Sequence, residues 1–242
     1  MDSTRILYIL CHDNTTEQRA LSEFKDYKWA RVYRLQNQNY LLESLFYVDQ
    51  LLALYDEWKD KEFVGTLSYK FFERIRDYEA GNIKSLKRIL EQIEKTSPTE
   101  YDAVSFMTLK GGLWGQLPHL EQIVYNTADL CRMKIRKSYN VATRKWGYTI
   151  TPFKSHFFFY NYWMCKPSLM LQYIQFFKYQ WLPALEMHPL VWAVCPYAGA
   201  LKRERYLELT NGRVDHCTYH AYVNELLPAI YFKHMNSRIQ FV

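Results

Sequence analysis

The sequence predicts an α/β fold, a single domain with a mixed, mostly parallel central sheet flanked by helices. Short apolar or β-branched runs alternate with helical patterns through the first half of the chain, in the order strand, strand, helix, strand, helix, strand. Polar or glycine-rich segments follow three of these strands. This alternation is typical of a largely parallel sheet with helices packed on it, in the style of a nucleotide-binding half-domain.

The predicted strands of the first half are short and differ in pattern. Residues 5–11 are aliphatic and end in a polar cluster, and residues 30–36 alternate weakly. Residues 62–71 are β-branched and aromatic around Gly65, which indicates close approach of another backbone or a ligand. Residues 102–107 form a fourth strand.

Helical spacing of apolar residues predicts the helices. They cover residues 40–58, 85–95, 119–137, 201–209 and 219–235. In the first of them Leu41, Leu45, Val48, Leu52 and Tyr55 share a face. A strand at residues 155–165 precedes a helix that begins at Pro167. An irregular stretch is expected around Pro183, Pro189 and Pro196, and a kink in the last helix near Pro228.

Length and composition favour one domain over residues 1–242, with a nucleotide-binding half at about 1–110 and an acceptor-side half at about 111–242. The apolar runs fall short of the ~20 residues of a membrane span, and the first residues lack the pattern of a signal peptide. The five cysteines include no Cys-x-x-Cys pair. We therefore expect no transmembrane segment, a cytoplasmic location and reduced thiols.

The net charge of +6 is dense only over residues 132–145. We interpret this run first as a solvated face. No Walker lysine motif, G-x-G-x-x-G after a strand, H-E-x-x-H or G-x-S-x-G occurs, which weighs against NTPases, Rossmann dehydrogenases, zincins and α/β-hydrolases.

Candidate ligand-binding loops follow the strands, because ligands of open α/β sheets bind outside the carboxyl ends of the strands. These loops are residues 12–16, 68–70 and 107–112. The sequence DHCTYH at residues 215–220 is interpreted as a polar turn rather than a metal site. Asp77 and Glu79 have D-x-D spacing but lie in a charged stretch that is interpreted as a solvated turn.

Three segments resemble a known family: VGTLSYKFFERI at residues 64–75, FFFYNYWMCKPSLMLQYI at residues 157–174, and HAYVNELLPAIYF at residues 220–232. They are similar to segments of the small GT-A-type glycosyltransferases found in bacterial polysaccharide gene clusters and in large DNA viruses that infect algae. The resemblance spans most of the chain in order. It implies transfer of a sugar from a UDP- or GDP-linked donor to a glycan or other hydroxyl acceptor, in the host cytoplasm if the protein is viral.

The resemblance and the strand-end loops together give a set of expected site residues. Donor-binding residues are His12, Asp13, Asn14, Thr66, Ser68, Tyr69 and Lys166. Catalytic residues are Glu225, Asp215 and His188, chosen as possible bases for the acceptor hydroxyl. The metal ligand for Mn²⁺ or Mg²⁺ is Asp102. The family's D-x-D motif does not end the strand that begins at Asp102, so three alternatives stay open: Asp102 with one distant ligand, Asp77 with Glu79, or no metal.

Two other functions stay open. A catalytically inactive relative that serves as a binding or scaffold protein is suggested by the missing D-x-D. Nucleic-acid binding is suggested by basic residues 132–145 with Tyr139 and Trp146 among them. It ranks last because the charge is modest and no nucleic-acid-binding module accompanies it, so we expect no nucleic-acid partner.

Overall fold

The structure, a computed structural model, describes residues 3–78, 83–106, 119–133, 137–140, 145–148, 161–196 and 202–241. Its centre is a mixed sheet flanked by helices, which confirms the predicted α/β class. The strands are β1 (Arg5–Cys11), β2 (Ala30–Arg34), β3 (Phe63–Ser68), β4 (Ala103–Ser105), β5 (Lys137–Asn140), β6 (Lys145–Tyr148), β7 (Trp163–Cys165) and β8 (Ile239–Phe241).

Helices of very different lengths connect and cover the strands. The α-helices are α1 (Asn14–Glu23), α2 (Gln50–Ala53), α3 (Tyr55–Trp58), α4 (Phe71–Tyr78), α5 (Ile83–Lys95), α6 (Leu120–Leu130), α7 (Pro167–Phe176), α8 (Leu182–Glu186), α9 (Arg203–Leu209) and α10 (His220–His234). Two 3₁₀ helices span Leu42–Tyr47 and Pro189–Trp192, and a π-helical turn, Phe177–Trp181, joins α7 to α8. Among the described residues, no helix has the length and apolar character needed to cross a membrane.

The main sheet has the strand order β2-β1-β3-β7-β4-β8. β1 pairs in parallel with both β2 and β3, and β4 pairs in parallel with β8. β7 is antiparallel to both of its neighbours, β3 and β4. From β1 the chain goes to β2 on one side and then to β3 on the other side. The strand order therefore reverses at β1, and this is a topological switch point.

Side chains of β1 face two separate cores, one on each side of the sheet. Tyr8 and Leu10 join the cluster formed with α6, α7 and α10. Leu7 and Ile9 join the cluster formed with α1, α4 and α5. Because both faces of a strand at this position are covered, its sequence is continuously apolar rather than alternating.

Several predicted elements are confirmed. β1 has the predicted bounds, and Ile89 and Ile93 of α5 are buried as expected. Pro167 stands in the first turn of α7. α9 ends before Asn211 and Gly212, both of which have the positive φ angles that suit a helix terminator.

The single helix predicted over residues 40–58 is wrong. The segment forms a 3₁₀ helix followed by the short helices α2 and α3, and Leu42 has a positive φ. Leu52 and Tyr55, expected on the inner face, are each 38% exposed. Phe46 and Tyr47 are instead both buried, and the positive φ of Leu42 is incompatible with one continuous α-helix from residue 40.

Other boundaries differ from the prediction. The helix expected over residues 119–137 ends at Leu130, where Arg132 adopts a positive φ, and the antiparallel pair β5–β6 lies within and just beyond the basic run at residues 132–145. Pro183 is the second residue of α8 and closely follows the π-helical turn, so this segment is helical rather than irregular. Pro228 lies inside α10. β8 is too short to have been recognised. Some predictions fall on residues outside those that the structure describes. They concern Glu79, the glycine-rich loop at residues 107–112, and residues 155–160 at the start of the strand predicted over 155–165.

β3 and β7 approach each other closely at Gly65. A β-carbon built on Gly65 would lie 2.2 Å from the carbonyl oxygen of Trp163 and 2.6 Å from the Cα of Met164. Both atoms are backbone, so no side-chain rotation would relieve the overlap. The predicted close approach of another backbone is confirmed.

We expect Gly65→Ala to lower the free energy of unfolding by about 3 kcal/mol, because β7 must move away from β3 and from its partner β4. Urea unfolding followed by circular dichroism measures this change. Gly212→Ala is the matched control, since Gly212 has a φ of 78° but open space around it, and it should cost only about 1 kcal/mol. Equal effects of the two variants would show that the contact with β7 is not the constraint.

Candidate functional site

A polar cavity of about 550 Å³ opens where β1 and β2 end. Its polar lining comes from the residue after β1, from the end of β2 with the segment that follows, and from α9. These side chains are His12, Arg34, Gln36, Asn37, Gln38, Arg205 and Glu208. The cavity therefore presents guanidinium, amide, imidazole and carboxylate groups at the carboxyl edge of the parallel strands, beside the switch point.

The first turn of α1 lies beside the cavity, at the same edge of the sheet. Asp13 caps the helix: its Oδ1 accepts a hydrogen bond of 2.8 Å from the backbone N–H of Thr16, and Thr16 Oγ1 accepts one of 3.0 Å from the Asp13 N–H. Thr16 Oγ1 also accepts from the His12 N–H. Asn14 Oδ1 accepts a hydrogen bond from Arg34. Of the three expected donor-binding residues here, His12 lines the cavity, Asn14 positions Arg34, and Asp13 acts as a helix cap.

His12 is paired with Glu43 beside the cavity. His12 Nε2 lies 3.3 Å from Glu43 Oε1, and Asn161 Nδ2 donates a 2.8 Å hydrogen bond to Glu43 Oε2. Burial alone would lower the pKa of His12, but the hydrogen bond and the charge of Glu43 outweigh burial and raise it. Burial would likewise raise the pKa of Glu43, yet hydrogen bonds from His12 and Asn161 leave it below its ordinary value. The geometry favours an imidazolium paired with a carboxylate.

Thr66 supports this pair from within the sheet. Thr66 is fully buried, its hydroxyl donates a 3.0 Å hydrogen bond to the carbonyl of Asn161, and it also hydrogen-bonds the Tyr47 hydroxyl. Because Thr66 donates its hydrogen to Asn161, the Tyr47 hydroxyl donates to Thr66, and it lies 3.3 Å from Asn161 Oδ1. Thr66, expected to bind the donor, instead fixes the position of Asn161 and through it the carboxylate of Glu43.

Ser68 and Tyr69 lie at the end of β3, on the same edge as His12. The rings of His12 and Tyr69 meet edge to face with centroids 5.9 Å apart, and Lys70 Nζ lies 5.6 Å from the centroid of the Tyr69 ring. Ser68 Oγ accepts a 3.3 Å hydrogen bond from the Lys70 N–H. The structure thus brings the expected residues of the first and third strands together.

Asp102 and Lys166 lie at the opposite, amino edge of the sheet. Lys166 Nζ is 2.8 Å from Asp102 Oδ1, and Arg238 donates to Asp102 from its backbone N–H at 2.9 Å and from Nη2 at 3.0 Å. The hydrogen bonds from Arg238, with that from Lys166, hold the pKa of Asp102 well below its ordinary value. This carboxylate links β4 to the start of α7 and to β8.

The residues around Asp102 do not fit the Mn²⁺ or Mg²⁺ that the resemblance implies. Divalent cations need several oxygen ligands, whereas the partners of Asp102 are two cationic side chains of the protein. Over all the residues that the structure describes, no group of three or more His, Cys, Asp or Glu side chains is arranged to hold a metal ion. Glu79, which belongs to the other metal alternative, lies outside those residues.

The expected catalytic residues stand on separate elements. His188 caps the 3₁₀ helix at Pro189, because its Nδ1 accepts a hydrogen bond of 3.2 Å from the Leu190 N–H. Burial lowers the pKa of His188 and favours the neutral ring that this hydrogen bond requires. His188 therefore acts here as a helix cap.

Asp215 lies in the segment between α9 and α10, and Glu225 lies within α10. Asp215 Oδ2 is 2.6 Å from Arg203 Nε, and Asp215 Oδ1 is 3.2 Å from His216 Nδ1. The hydrogen bond from His216, with the charge of Arg203, lowers the pKa of Asp215. Asp215 is therefore an ionised carboxylate tied to α9, the helix that also carries Arg205 of the cavity.

A second polar cluster, centred on Glu186, unites residues far apart in the sequence. The Tyr40 hydroxyl donates a 2.7 Å hydrogen bond to Glu186 Oε1, and His220 Nε2 lies 3.2 Å from the same oxygen. The Arg213 guanidinium stacks 3.4 Å from the centroid of the Trp192 ring. Burial lowers the pKa of His220; burial would raise that of Glu186, but the hydrogen bonds from His220 and Tyr40 leave it lowered. Glu186 and His220 connect α8 and α10 to Tyr40, which lies in the segment after β2.

The sequence interpretation missed most of the cavity lining. Arg34 was included in the second predicted strand, and Gln36, Gln38 and Arg205 were given no role. One signal was available: a polar run follows β2 as well as β1, and the carboxyl ends of adjacent parallel strands share an edge.

No family model, curated protein or solved structure matches the chain. The resemblance to small GT-A-type glycosyltransferases therefore stays a prediction. What the chain binds has to follow from the residues around the cavity and from their place in the sheet.

We expect Asp102→Asn to lower the free energy of unfolding at pH 6 by about 1 kcal/mol, because the carboxylate holds two cations at a partly solvated site. The folded-state pKa of Asp102 is depressed, so its contribution exists above the ordinary pKa and is lost as the pH falls through the folded-state value. Urea unfolding at several pH values from 6 downward should show the gap between wild type and variant closing.

Asp56→Asn is the control for this experiment, because Asp56 pairs with Lys59 on the surface with 87% of its side chain exposed. It should change stability little at any pH. A gap for Asp102→Asn that is constant with pH would contradict an ionic role for Asp102.

Proposed function

We propose that the chain binds a nucleotide-linked sugar in the cavity between His12, Arg34 and Arg205 and transfers the sugar to a hydroxyl acceptor. The observation that carries this proposal is the location of the cavity, at the carboxyl edge of parallel strands beside the switch point at β1. Open α/β sheets bind their ligands outside the carboxyl ends of their strands.

The chemistry of the lining supports a ligand with both anionic and hydroxyl groups. Arg34 and Arg205 offer planar guanidinium donors of the kind that match phosphate oxygens, and the pairing of His12 with Glu43 favours a protonated imidazole beside them. The side-chain amides of Gln36 and Gln38 and the carboxylate of Glu208 supply the donors and acceptors that a ribose or a base edge requires. The guanidinium groups also contact Glu17 and Glu208, which orients them and keeps the site from being uniformly cationic.

Sugar transfer needs two kinds of stabilisation. Breaking the bond between the anomeric carbon and the phosphate oxygen leaves negative charge on the diphosphate, which the guanidinium groups and the imidazolium stabilise. The acceptor hydroxyl must lose a proton to a base. Among the expected catalytic residues we assign this role to Asp215, because Arg203 ties it to the helix that lines the cavity, whereas His188 caps a helix.

We expect UDP or GDP and their sugars to raise the melting temperature of the protein, since a ligand that binds the folded state stabilises it. Arg34→Gln should weaken binding of the preferred nucleotide sugar at least about tenfold in titration calorimetry, because a charge-assisted hydrogen bond to phosphate is lost. Arg31→Gln is the matched control on the same strand: Arg31 is exposed and donates to backbone carbonyls at Lys28 and Ala30. Equal weakening by both variants, or no binding by any nucleotide sugar, would contradict the proposed cavity.

We expect Asp215→Asn to slow sugar release or transfer about 100-fold or more while leaving the dissociation constant of the donor unchanged, because only the proton acceptor is removed. Product formation is measured by chromatography of the nucleoside diphosphate, with Mn²⁺ and with a chelator in parallel. The control is Asp49→Asn, which removes a surface carboxylate paired with Lys178. Tight donor binding without turnover by the wild-type protein would support the binding or scaffold alternative instead.

A further inference from the structure

Backbone hydrogen bonds join the segment around residues 191–195 to the segment around residues 217–219. They bring Cys195 and Cys217 together beside α9. The Tyr219 N–H donates to the Val191 carbonyl at 2.9 Å, and the Cys195 N–H donates to the Cys217 carbonyl at 2.9 Å. A direct backbone hydrogen bond between Cys195 and Cys217 holds their main chains side by side, and a disulfide requires such proximity.

The sulfur of Cys217 has an environment unlike that of the other cysteines. Its thiol is hydrogen-bonded by the Cys195 thiol and by the hydroxyls of Tyr206 and Tyr222, and these bonds lower its pKa although burial opposes them. Burial raises the pKa of Cys11 and Cys165, and it raises the pKa of Cys131 to about 11.

Access to this pair is unequal. Cys195 is 1% exposed and Cys217 is 8% exposed, so a small oxidant reaches Cys217 first. Hydrogen peroxide is small and reacts with thiolates, and a thiolate is best stabilised where hydrogen-bond donors surround the sulfur. All five cysteines are free thiols in the structure, so the pair is present in its reduced form.

We propose that Cys195 and Cys217 are a peroxide-sensitive pair that forms a reversible intramolecular disulfide. The Cys217 thiolate attacks one oxygen of hydrogen peroxide and becomes a sulfenic acid, and the other oxygen leaves as hydroxide. The Cys195 sulfur then attacks the Cys217 sulfur, and the sulfenic oxygen leaves as a second hydroxide. The two protons that the thiols give up convert the two hydroxides into two waters. Two thiols are oxidised, one peroxide is reduced to two waters, and a thiol reductant reverses the reaction.

The disulfide would close a loop that contains α9 and Asp215. Two residues of α9 lie within this loop: Arg203, which pairs with Asp215, and Arg205, which lines the cavity. The pairing is independent of the function proposed for the cavity, because it depends only on the two sulfurs and their neighbours.

The test treats the reduced full chain with hydrogen peroxide, removes the oxidant and counts thiols with Ellman's reagent in denaturant. We expect the five thiols to fall to three and to return to five after dithiothreitol. Peptide mapping without reductant should show one cross-linked pair of peptides carrying Cys195 and Cys217. No loss of thiols, a different pairing, or a disulfide between two chains would overturn the proposal.

Variants assign the order of the steps. Cys131→Ser is the matched control: Cys131 is more exposed than either member of the pair, and this variant should still lose two thiols. Cys195→Ser should leave a sulfenic acid at Cys217 that dimedone labels, whereas Cys217→Ser should form no disulfide at Cys195. Dimedone labelling mainly at Cys131 would contradict Cys217 as the reacting thiol. The wild-type peptide map decides the pairing even if a variant fails to fold.

Discussion

The contact between Gly65 and the backbone of β7 is the constraint on which much of the structure depends. β7 is the antiparallel strand that joins the β2-β1-β3 part of the sheet to β4 and β8, and its carbonyl at Trp163 lies where any side chain on residue 65 would be. With β7 in this place, Asn161 reaches the hydroxyls of Thr66 and Tyr47 and holds Glu43. The pairing of His12 with Glu43 beside the cavity therefore depends on a glycine that does not itself line the cavity.

The strands of the first half were the most predictable part of the fold because their patterns are local. The aliphatic run of β1, the glycine in β3 and the proline that begins α7 each have a direct physical meaning. The segment at residues 40–58 was mispredicted because its apolar residues fit a helical period. The burial of Tyr47 depends instead on Trp163 and Tyr173, which contact its ring from other elements and which no pattern within this segment encodes.

The site was predictable only in part, for a related reason. Strand ends identified His12, Asn14, Ser68 and Tyr69, because parallel strands place their carboxyl ends on one edge. Asp102 and Lys166 were expected there as well, but β7 runs the other way and Asp102 precedes its strand, so both lie on the amino edge. The contribution of α9 depends on how the second half of the chain returns to the sheet, which no local pattern encodes.

The pairing of β4 with β8 has a consequence for how the molecule folds. Ala103 is opposite Ile239 and Ser105 is opposite Phe241, so the two strands are separated by more than half of the chain. Contacts between distant segments form late, because the intervening chain must first be ordered. During synthesis one side of β4 stays an unpaired strand edge until residue 241 has left the ribosome, and such an edge can pair with other chains. Arg238, which enters the sheet with β8 and binds Asp102, favours the correct partner for that edge.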